Sequence, residues 1–501
     1  MRSNTITAAA AGIVATLATP ASAFFRMSCP GSILLERADP IVSPGEVAGH
    51  VHTISGGNGF GFSMTYDQAR ASTCSSCLVK ADLSNYWTPK LYFQAQDGTF
   101  EDVPQHGEGS GNTGGMTVYY LQRYSPESNE LQAFPEGFRM VAGNPFQRSD
   151  TGRKEAPGSA VSFVCLNYDE GSTHHTSIPD RKCPSGLRAQ VFFPSCWDGV
   201  NLDSADHRSH MSYPIGEYDN GYCPDSHPVR MVSLFYEVIY SIDRFDSRWE
   251  TSDGHPFVFA QGDATGFGFH GDFVNGWDID VLQEAVDTCT AQSGNLEDCP
   301  VFVGEMYTPS ECQSCRVPPS VDERVTGVLQ SLPGCNPVTT GPANAVPETC
   351  TSTPIGNPQQ YYTDVTSLGW QYEGCGRDGG SRTFPASFDY SQTMTVQECV
   401  QLCASKNFTM AGLQWYDQCF CDDDYRVDGR APQAGVLGEC HTPCVGDADQ
   451  ICGGPNALSV YKACEPEDCQ NSDYVGPNAG SQRLAKRHSD RQVRRGSVMG
   501  L

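Results

Sequence analysis

The sequence has little positive charge: 32 lysines and arginines stand against 59 aspartates and glutamates, a formal net charge of −27 over 501 residues. An excess of negative charge repels phosphate backbones and anionic lipids, which argues against nucleic acid and membrane surfaces as partners. Beyond the N-terminal segment no apolar run approaches the length that crosses a bilayer, so we expect no membrane span. Among the partners that remain, neutral polysaccharides suit an acidic chain.

Several catalytic signatures are also absent. The chain has no G-x-S-x-G, no H-E-x-x-H, no phosphate-binding P-loop and no dinucleotide fingerprint in a strand–turn–helix setting. Residues 1–23 have the pattern of a secretory signal peptide, with cleavage expected after Ala23. The mature chain would then begin at Phe24, which excludes a copper site built on an N-terminal histidine. We therefore expect an extracellular protein, secreted or associated with a cell wall.

Cysteine, by contrast, is abundant. Twelve of the 23 cysteines lie between 29 and 335, eight lie between 375 and 452, and three lie elsewhere. In an exported chain these numbers predict disulfides rather than a zinc array, and the C-x-x-C motifs at 74–77 and 312–315 are interpreted as structural bridges. Both large sets are even, so each has enough cysteines to close its own bridges. The odd total leaves one cysteine either unpaired or in an intermolecular bridge, and Cys469 is our candidate for it.

The distribution of apolar residues indicates strands more often than helices. From residue 24 to 335, short runs rich in β-branched and aromatic residues alternate with turn residues, and only 280–289 has convincing helical spacing. The pattern predicts a mainly β chain with a β-sandwich-like N-terminal domain and long loops. Residues 336–363 are expected to form a flexible linker. A small disulfide-rich α+β unit is predicted over 364–463 and a disordered basic tail over 464–501.

The eight cysteines of the C-terminal unit follow a specific order. They stand at positions 375, 399, 403, 419, 421, 440, 444 and 452. Two of them lie four residues apart on an amphipathic helix that a threonine caps, two form a C-x-C strand, and the last begins a Cys-Gly-Gly segment. This order resembles the WSC domain.

The resemblance implies a rigid, disulfide-stapled module that binds cell-wall polysaccharide, chiefly β-glucan. Trp415, Tyr416 and Trp370 are the candidate sugar contacts, because aromatic rings stack on sugar rings, although each also suits a core position. The Asn407–Thr409 tripeptide is an N-glycosylation acceptor and favours an exposed face. We expect a monomeric glycoprotein with a β-glucan-like partner.

The N-terminal part contains unusual strings in a fixed order. They include an Asp-Pro-Ile-Val-Ser-Pro-Gly stretch at 39–45, a His-Val-His at 50–52, a polar segment at 194–214 and a His-Gly-Asp-Phe-Val-Asn-Gly-Trp-Asp segment at 270–278. Together they are similar to a family of secreted fungal domains of unknown function that are often fused to WSC modules. This resemblance supplies no activity, so a function has to be argued from the residues.

Three polar clusters lie among these strings. An extended H-x-H at 50–52 would point both imidazoles the same way, a geometry that metal sites use. The 194–214 loop and the glycine-rich segment at 262–278, also interpreted as a loop with Phe273 and Trp277 as a groove wall, supply carboxylates and more histidines. We hypothesise that folding brings the three clusters to one polar cleft. The candidate catalytic residues are Asp198, Asp206, His207, His210, His50, His52, His270 and Asp272, with Asp278 and Glu237 as additional carboxylates.

Several functions fit these candidates. Paired carboxylates in a groove describe glycoside hydrolysis, and a histidine site could instead abstract a proton from a uronic acid, as a lyase does. A divalent metal ion held by His50, His52, His207 and His210 is a further alternative. The remaining one is a non-catalytic wall protein, structural or carbohydrate-binding, in which these side chains only hydrogen-bond loops together and Asp278 caps the following helix.

Overall fold

The computed structural model describes residues 23–106, 115–123, 130–150, 160–317, 319–321, 323–346, 355, 362–379, 381–426, 432, 440, 442–448, 450–454 and 457–472. Residues 1–22 of the signal peptide expected over 1–23, and the part of the expected basic tail beyond residue 472, lie outside these ranges. Within them, no helix is both long enough and apolar enough to cross a membrane. The described chain is mainly β, as the sequence predicts.

Nineteen strands lie in the described part of the N-terminal domain. They are β1 (Ala23–Cys29), β2 (Leu34–Glu36), β3 (His52–Gly56), β4 (Asn85–Pro89), β5 (Leu91–Gln94), β6 (Phe100–Asp102), β7 (Gln105–His106), β8 (Met116–Gln122), β9 (Arg139–Gly143), β10 (Val161–Cys165), β11 (Thr173–His175), β12 (Leu187–Phe192), β13 (Cys196–Trp197), β14 (Met211–Ser212), β15 (Val229–Arg230), β16 (Ser233–Tyr240), β17 (Phe257–Phe259), β18 (His270–Val274) and β19 (Val328–Leu329). Its helices are α1 (Tyr66–Arg70), α2 (Ile279–Thr288) and α3 (Pro309–Ser314).

Two antiparallel sheets form the layers of a sandwich. One has seven strands in the order β1-β8-β16-β12-β10-β11, with β7 also pairing with β16; the other has five in the order β2-β3-β4-β18-β9. Alternation places Val118 and Tyr120 of β8 in the core between the layers, while Tyr119 turns outward and its hydroxyl donates to Glu237 at 2.9 Å. Phe273 of β18 enters the same core from the second layer. The β-sandwich prediction is therefore confirmed.

The second sheet has another apolar layer on its outer face. Ile54, Trp87 and Val274, from three neighbouring strands, pack there in a separate buried cluster. Beside the sandwich lie two smaller sheets, ordered β17-β5-β6-β19 and β14-β13-β15. The helix expected at 280–289 is α2, and Asp278 caps it by accepting a hydrogen bond from the amide of Val281. Capping is thus a demonstrated use of that carboxylate.

The C-terminal unit is a five-stranded antiparallel sheet with one helix. Its strands are β20 (Trp370–Arg377), β21 (Ser387–Tyr390), β22 (Met410–Gln414), β23 (Gln418–Asp422) and β24 (Ala457–Ala463), in the order β20-β24-β22-β23-β21. Helix α4 (Val396–Ser405) begins at the cap Thr395 and buries Cys399 and Cys403 against the sheet. Four disulfides close within this unit: 375–440, 399–419, 403–421 and 444–452. The predicted α+β module with its own bridges is confirmed.

The unpaired thiol is not the expected one. Cys469 is bonded to Cys464, and among the cysteines that the structure describes the free one is Cys312, which is fully buried in α3. Neither C-x-x-C motif closes on itself, because Cys74 pairs with Cys315 and Cys77 pairs with Cys29. Sequence spacing could not choose between these pairings, since the partners are brought together by strands far apart in the chain.

Parts of the expected linker and tail have specific partners. Residues 336–346 run along the N-terminal domain, where the amide of Thr339 donates to the carbonyl of Gly262 at 2.8 Å and the amide of Ala345 donates to that of Phe146. After β24, the amide of Ser472 donates to the carbonyl of Tyr372 at 2.7 Å. Both described segments therefore make backbone hydrogen bonds to their neighbouring domain.

A buried carboxyl group makes stability depend on pH. Asp82 is inaccessible to solvent and accepts hydrogen bonds from the amide of Ser84 and the hydroxyl of Tyr86, and burial raises its pKa from 3.8 to about 6. A raised folded-state pKa gives stability that is fully present below about pH 4 and is lost as the pH rises through about 6. We expect the free energy of unfolding to fall by about 2–3 kcal/mol across this window through Asp82 alone. Urea unfolding from pH 4 to 7 measures it, and Asp82→Asn is expected to flatten the slope; equal slopes would contradict the assignment.

Candidate functional site

Strand β18 carries the site on one face and the core on the other. Gly271 and Phe273 face the first sheet, and a Cβ on Gly271 would lie 3.0 Å from Phe193 and Tyr236. His270 and Asp272 alternate with them and therefore point away from the sandwich core. The segment was interpreted as a loop on its glycine content, but Gly271 is needed because the two layers meet closely there.

Three histidines converge on this outer face. His52 begins β3, His50 precedes it by two residues, and His270 begins β18. The Nε2 atoms of His50 and His270 are 3.0 Å apart, and one nitrogen from each of the three rings lies within 4.8 Å of the other two. The ring centroids are separated by 4.3 Å (50–52), 5.0 Å (50–270) and 5.8 Å (52–270). Two of the three hypothesised clusters therefore meet.

Backbone carbonyls fix the orientation of two of these rings. The Nδ1 atom of His52 lies 3.1 Å from the carbonyl oxygen of Ala38, and that of His270 lies 2.9 Å from the carbonyl oxygen of Gly268. A carbonyl only accepts, so Nδ1 carries the proton in each ring and Nε2 presents a lone pair. Burial lowers the pKa of His52 to about 4 and that of His270 to about 3, so both imidazoles are neutral at physiological pH.

Two carboxyl groups and one arginine accompany the histidines. Asp272 is buried, and its Oδ2 atom has no hydrogen-bond partner within the described chain. Burial raises its pKa well above the ordinary value; the neighbouring charge of Asp39 raises it further, while that of Arg208 lowers it. Asp39 accepts hydrogen bonds from the amides of Ile41 and Val42. The guanidinium of Arg208 donates to the carbonyl oxygen of Gly143 at 3.3 Å, which positions it at the edge of β9.

A cavity of about 300 Å³ lies over these side chains. Asp39, Arg208, Asp272 and the three histidines contribute to its polar wall, together with Asn144, Gln261, Asn336 and Thr339. Apolar side chains at its edge are exposed, notably Phe146 (41%) and Val346 (80%). Buried polar groups beside exposed apolar side chains suit a small polar ligand or the end of a larger one. Residues 335–346 thus provide one wall of the cavity.

The polar loop at 194–214 meets the cavity through Arg208 alone. Asp206 accepts hydrogen bonds from the hydroxyls of Ser204 and Ser209. A further hydrogen bond, from the backbone amide of Ser209, holds the pKa of Asp206 below the ordinary value. Asp198 accepts from the amides at 200 and 201. These carboxylates hold the loop in shape, as turn aspartates commonly do.

The two histidines of that loop also have hydrogen-bond partners for their ring nitrogens. His207 has its Nδ1 atom 2.9 Å from a carboxylate oxygen of Asp203. His210 has its Nδ1 atom 2.9 Å from the hydroxyl of Ser204 and its Nε2 atom 2.8 Å from the carbonyl oxygen of Arg139. Neither lines the cavity, so the structure does not bring His207 and His210 together with His50 and His52 as expected; the third histidine beside those two is His270. Hydrogen bonds to neighbouring groups hold His207 and His210 away from the cluster of His50, His52 and His270.

Other side chains that were expected to belong to the site instead lie in the core or on another face of the fold. Phe273 and Trp277, expected to form a groove wall, are fully buried in the sandwich core. Glu237 accepts from Tyr119 and Gln190 on the outer face of the first sheet, away from the cavity. Conversely, sequence reasoning missed Asp39 and Arg208. Asp39 stood in an unusual string and Arg208 in the polar loop, but a turn aspartate and a loop arginine carry no signal of their own.

The aromatic side chains of the C-terminal unit divide between core and surface. Trp370 is only 4% exposed and packs inside, which removes it as a sugar contact. Trp415 and Tyr416 form the turn between β22 and β23 with φ of 51° and 61°, and the guanidinium of Arg244 lies 5.2 Å from the Trp415 ring. Left-handed backbone at two bulky residues is strained, and such strain motivates a functional hypothesis. Tyr416 is exposed.

Comparison with known families agrees with these two architectures. Residues 39–277 match the family described as Domain of unknown function (DUF1996), and residues 372–454 match the WSC domain. The chain therefore carries a DUF1996 domain followed by a WSC domain, as its motifs predicted. The match includes Asp39, all three clustered histidines, Arg208 and Asp272 within the first domain.

Similar proteins share one domain-sized segment with this chain. A WSC domain-containing protein of Arthroderma benhamiae is 41% identical over 113 residues, which is 22% of this chain and 12% of that protein. Xylosyltransferase oxt of Drosophila melanogaster is 34% identical over 121 residues (23% and 12%), and Kremen protein 1 of Xenopus laevis is 32% identical over 91 residues (18% and 19%). The chain thus spans less than a fifth of each of these three relatives. The WSC domain indicates a cell-wall-associated or carbohydrate-binding role.

Proposed function

We propose that the WSC domain holds this protein on a wall polysaccharide, of the β-glucan type, and that the DUF1996 domain presents its cavity to the same polymer. The WSC match is the observation that carries the proposal. The excess negative charge and the disulfides suit an extracellular protein that meets a neutral polymer.

The surface of the WSC domain supports a sugar contact on its edge strand. Phe388 and Tyr390 lie two residues apart on β21, on the same face of the strand. They are 54% and 66% exposed, with ring centroids 6.5 Å apart. We call them the β21 aromatic pair. Exposed rings two residues apart on a strand point the same way and offer two apolar faces to a chain of sugar rings. The ring of Phe388 lies beside that of its cross-strand neighbour Phe420, with centroids 4.9 Å apart.

Removing the β21 aromatic pair is expected to weaken polysaccharide binding. Two stacking faces contribute about 2 kcal/mol together, so Phe388→Ala with Tyr390→Ala should lower the affinity roughly thirtyfold. The measurement is co-sedimentation of the full chain with insoluble β-1,3-glucan, chitin and cellulose. Tyr168→Ala, which removes a tyrosine that is 74% exposed on the other domain, is the matched control.

The outcomes of this experiment separate the alternatives. Loss of glucan binding in the double variant but not in Tyr168→Ala supports the proposed contact. If the double variant binds glucan as the wild type does and Tyr416→Ala does not, the sugar contact lies at the strained turn between β22 and β23 instead. A wild-type chain that sediments with none of the three polymers would overturn the tether itself.

Glycoside hydrolysis is the second candidate for the DUF1996 domain. It is favoured by two carboxyl groups, Asp39 and Asp272, in the wall of one cavity. In glycosidases one such group protonates the leaving oxygen and the other acts as nucleophile or base. Release of reducing ends from glucan, mannan or chitin that is lost in Asp272→Asn would establish it, and no release from any of them would leave a binding site.

A further inference from the structure

We propose that His50, His52 and His270 form a binding site for one divalent transition-metal ion, zinc or copper, whose open coordination position faces the cavity. The inference is independent of the polysaccharide tether. It concerns the imidazole cluster of the DUF1996 domain and the groups immediately around it.

The positions of the ligand atoms suit a metal. In a tetrahedral zinc site with Zn–N bonds of about 2.0–2.1 Å, neighbouring nitrogens lie about 3.3 Å apart. The Nε2 atoms of His50 and His270 are 3.0 Å apart, and one nitrogen from each of the three rings fits within 4.8 Å. The rings meet at 61°, 83° and 89°, so none of the three pairs is stacked.

The tautomers are set in advance for coordination. His52 and His270 each use Nδ1 to donate to a backbone carbonyl, which commits Nε2 to the deprotonated form that a metal requires. Histidines that ligate metals almost always have such a partner on the other ring nitrogen. The segment after β2 supplies the carbonyl of Ala38, and the turn before β18 supplies that of Gly268. Ring orientation therefore depends on the framework rather than on the ion.

Hydrogen bonding alone leaves the cluster incomplete. A proton on Nε2 of His50 satisfies the contact with His270, but Nε2 of His52 is buried without a partner in the described chain. The Oδ2 atom of Asp272, on the same face as His270, is likewise buried and unpartnered. An unsatisfied buried polar atom is rare in folded proteins because it is costly. A cation among the three imidazoles would satisfy the lone pair of His52 and attract the carboxylate.

The donor set selects the class of ion. Three neutral imidazoles suit zinc, copper and other late first-row ions, whereas calcium and magnesium prefer oxygen ligands. Three protein ligands with a cavity beside them describe a site that keeps one position for water or a ligand, in contrast to a closed structural site. Arg208 and Asp39, also in the cavity wall, are then placed to contact what occupies that position.

The test uses the full chain, stripped with a chelator and dialysed against Zn²⁺ or Cu²⁺. We expect one equivalent by elemental analysis, a rise in the melting temperature on binding, and nitrogen hyperfine structure from three imidazoles in the Cu²⁺ electron paramagnetic resonance spectrum. His52→Ala should lower the affinity at least 100-fold. His174→Ala, which removes an exposed histidine on β11, is the matched control and should bind as the wild type does.

A second variant keeps the test decisive if His52→Ala does not fold. His50 lies outside a strand and is only partly buried, so His50→Gln should preserve the fold while removing one ligand. Circular dichroism of the metal-free proteins checks this. A wild-type chain that takes up neither ion, or an ion that binds equally to His50→Gln and wild type, would overturn the proposal; the latter would place the ion on the acidic surface.

Discussion

Replacing Cys74 and Cys315 together by alanine is expected to lower the free energy of unfolding of the N-terminal domain by about 5 kcal/mol. The bridge joins residues 241 apart, and the entropy that a disulfide removes from the unfolded chain grows with the logarithm of the loop it closes. Cys315 ends helix α3 and packs in the apolar layer on the outer face of the second sheet. Urea unfolding followed by tryptophan fluorescence measures the effect.

A second bridge of the same domain provides the comparison. Cys165 and Cys183 are 18 residues apart, so their replacement by alanine is expected to cost about 3 kcal/mol on the same entropic account. The long-range bridge should therefore matter more by about 2 kcal/mol. Equal losses, or a larger loss for the short bridge, would show that local packing rather than chain entropy sets the contribution. Replacing both partners also prevents a non-native pair between Cys312 and Cys315.

The sequence was most informative where its signals were local. Strands β8 and β10 occur where short runs rich in β-branched and aromatic residues lie between turn residues, because such local signals determine short antiparallel strands. The WSC domain was equally accessible, since its eight cysteines close four bridges within one short segment. In both cases the interactions that define the element lie close together in the chain.

Non-local contacts explain what the sequence did not reveal. Strand β18 was interpreted as a loop because it lies in a glycine-rich segment, yet Gly271 is the residue that lets two sheets approach. His270 joins His52 only because β18 and β3 both flank β4, a pairing of segments about 200 residues apart. His207 looked equally suitable, but its neighbour Asp203 satisfies it locally. Residue type identified the candidates, and sheet order selected among them.

Trp277→Ala is expected to lower the free energy of unfolding by about 3–5 kcal/mol, because it empties a site in the centre of the sandwich. The side chain is fully buried, with ring centroids 5.5 Å from Tyr120 and 6.1 Å from Phe302. Its Nε1 atom also donates to the hydroxyl of Tyr120 at 2.6 Å, and the substitution removes that donor from a buried network with Tyr86.

The comparison with Trp197→Ala distinguishes a core tryptophan from one that lines a groove. Trp197 is partly exposed and donates to the carbonyl oxygen of Asn201 in the polar loop, so its replacement should cost less than half as much stability. If Trp277 instead formed a groove wall, Trp277→Ala would leave the unfolding midpoint nearly unchanged and would weaken ligand binding. Because Trp277 follows β18 closely, a core role also implies that its loss loosens the strand that carries His270 and Asp272. Metal affinity and stability should then fall together in this variant, whereas His50→Gln should lower metal affinity alone.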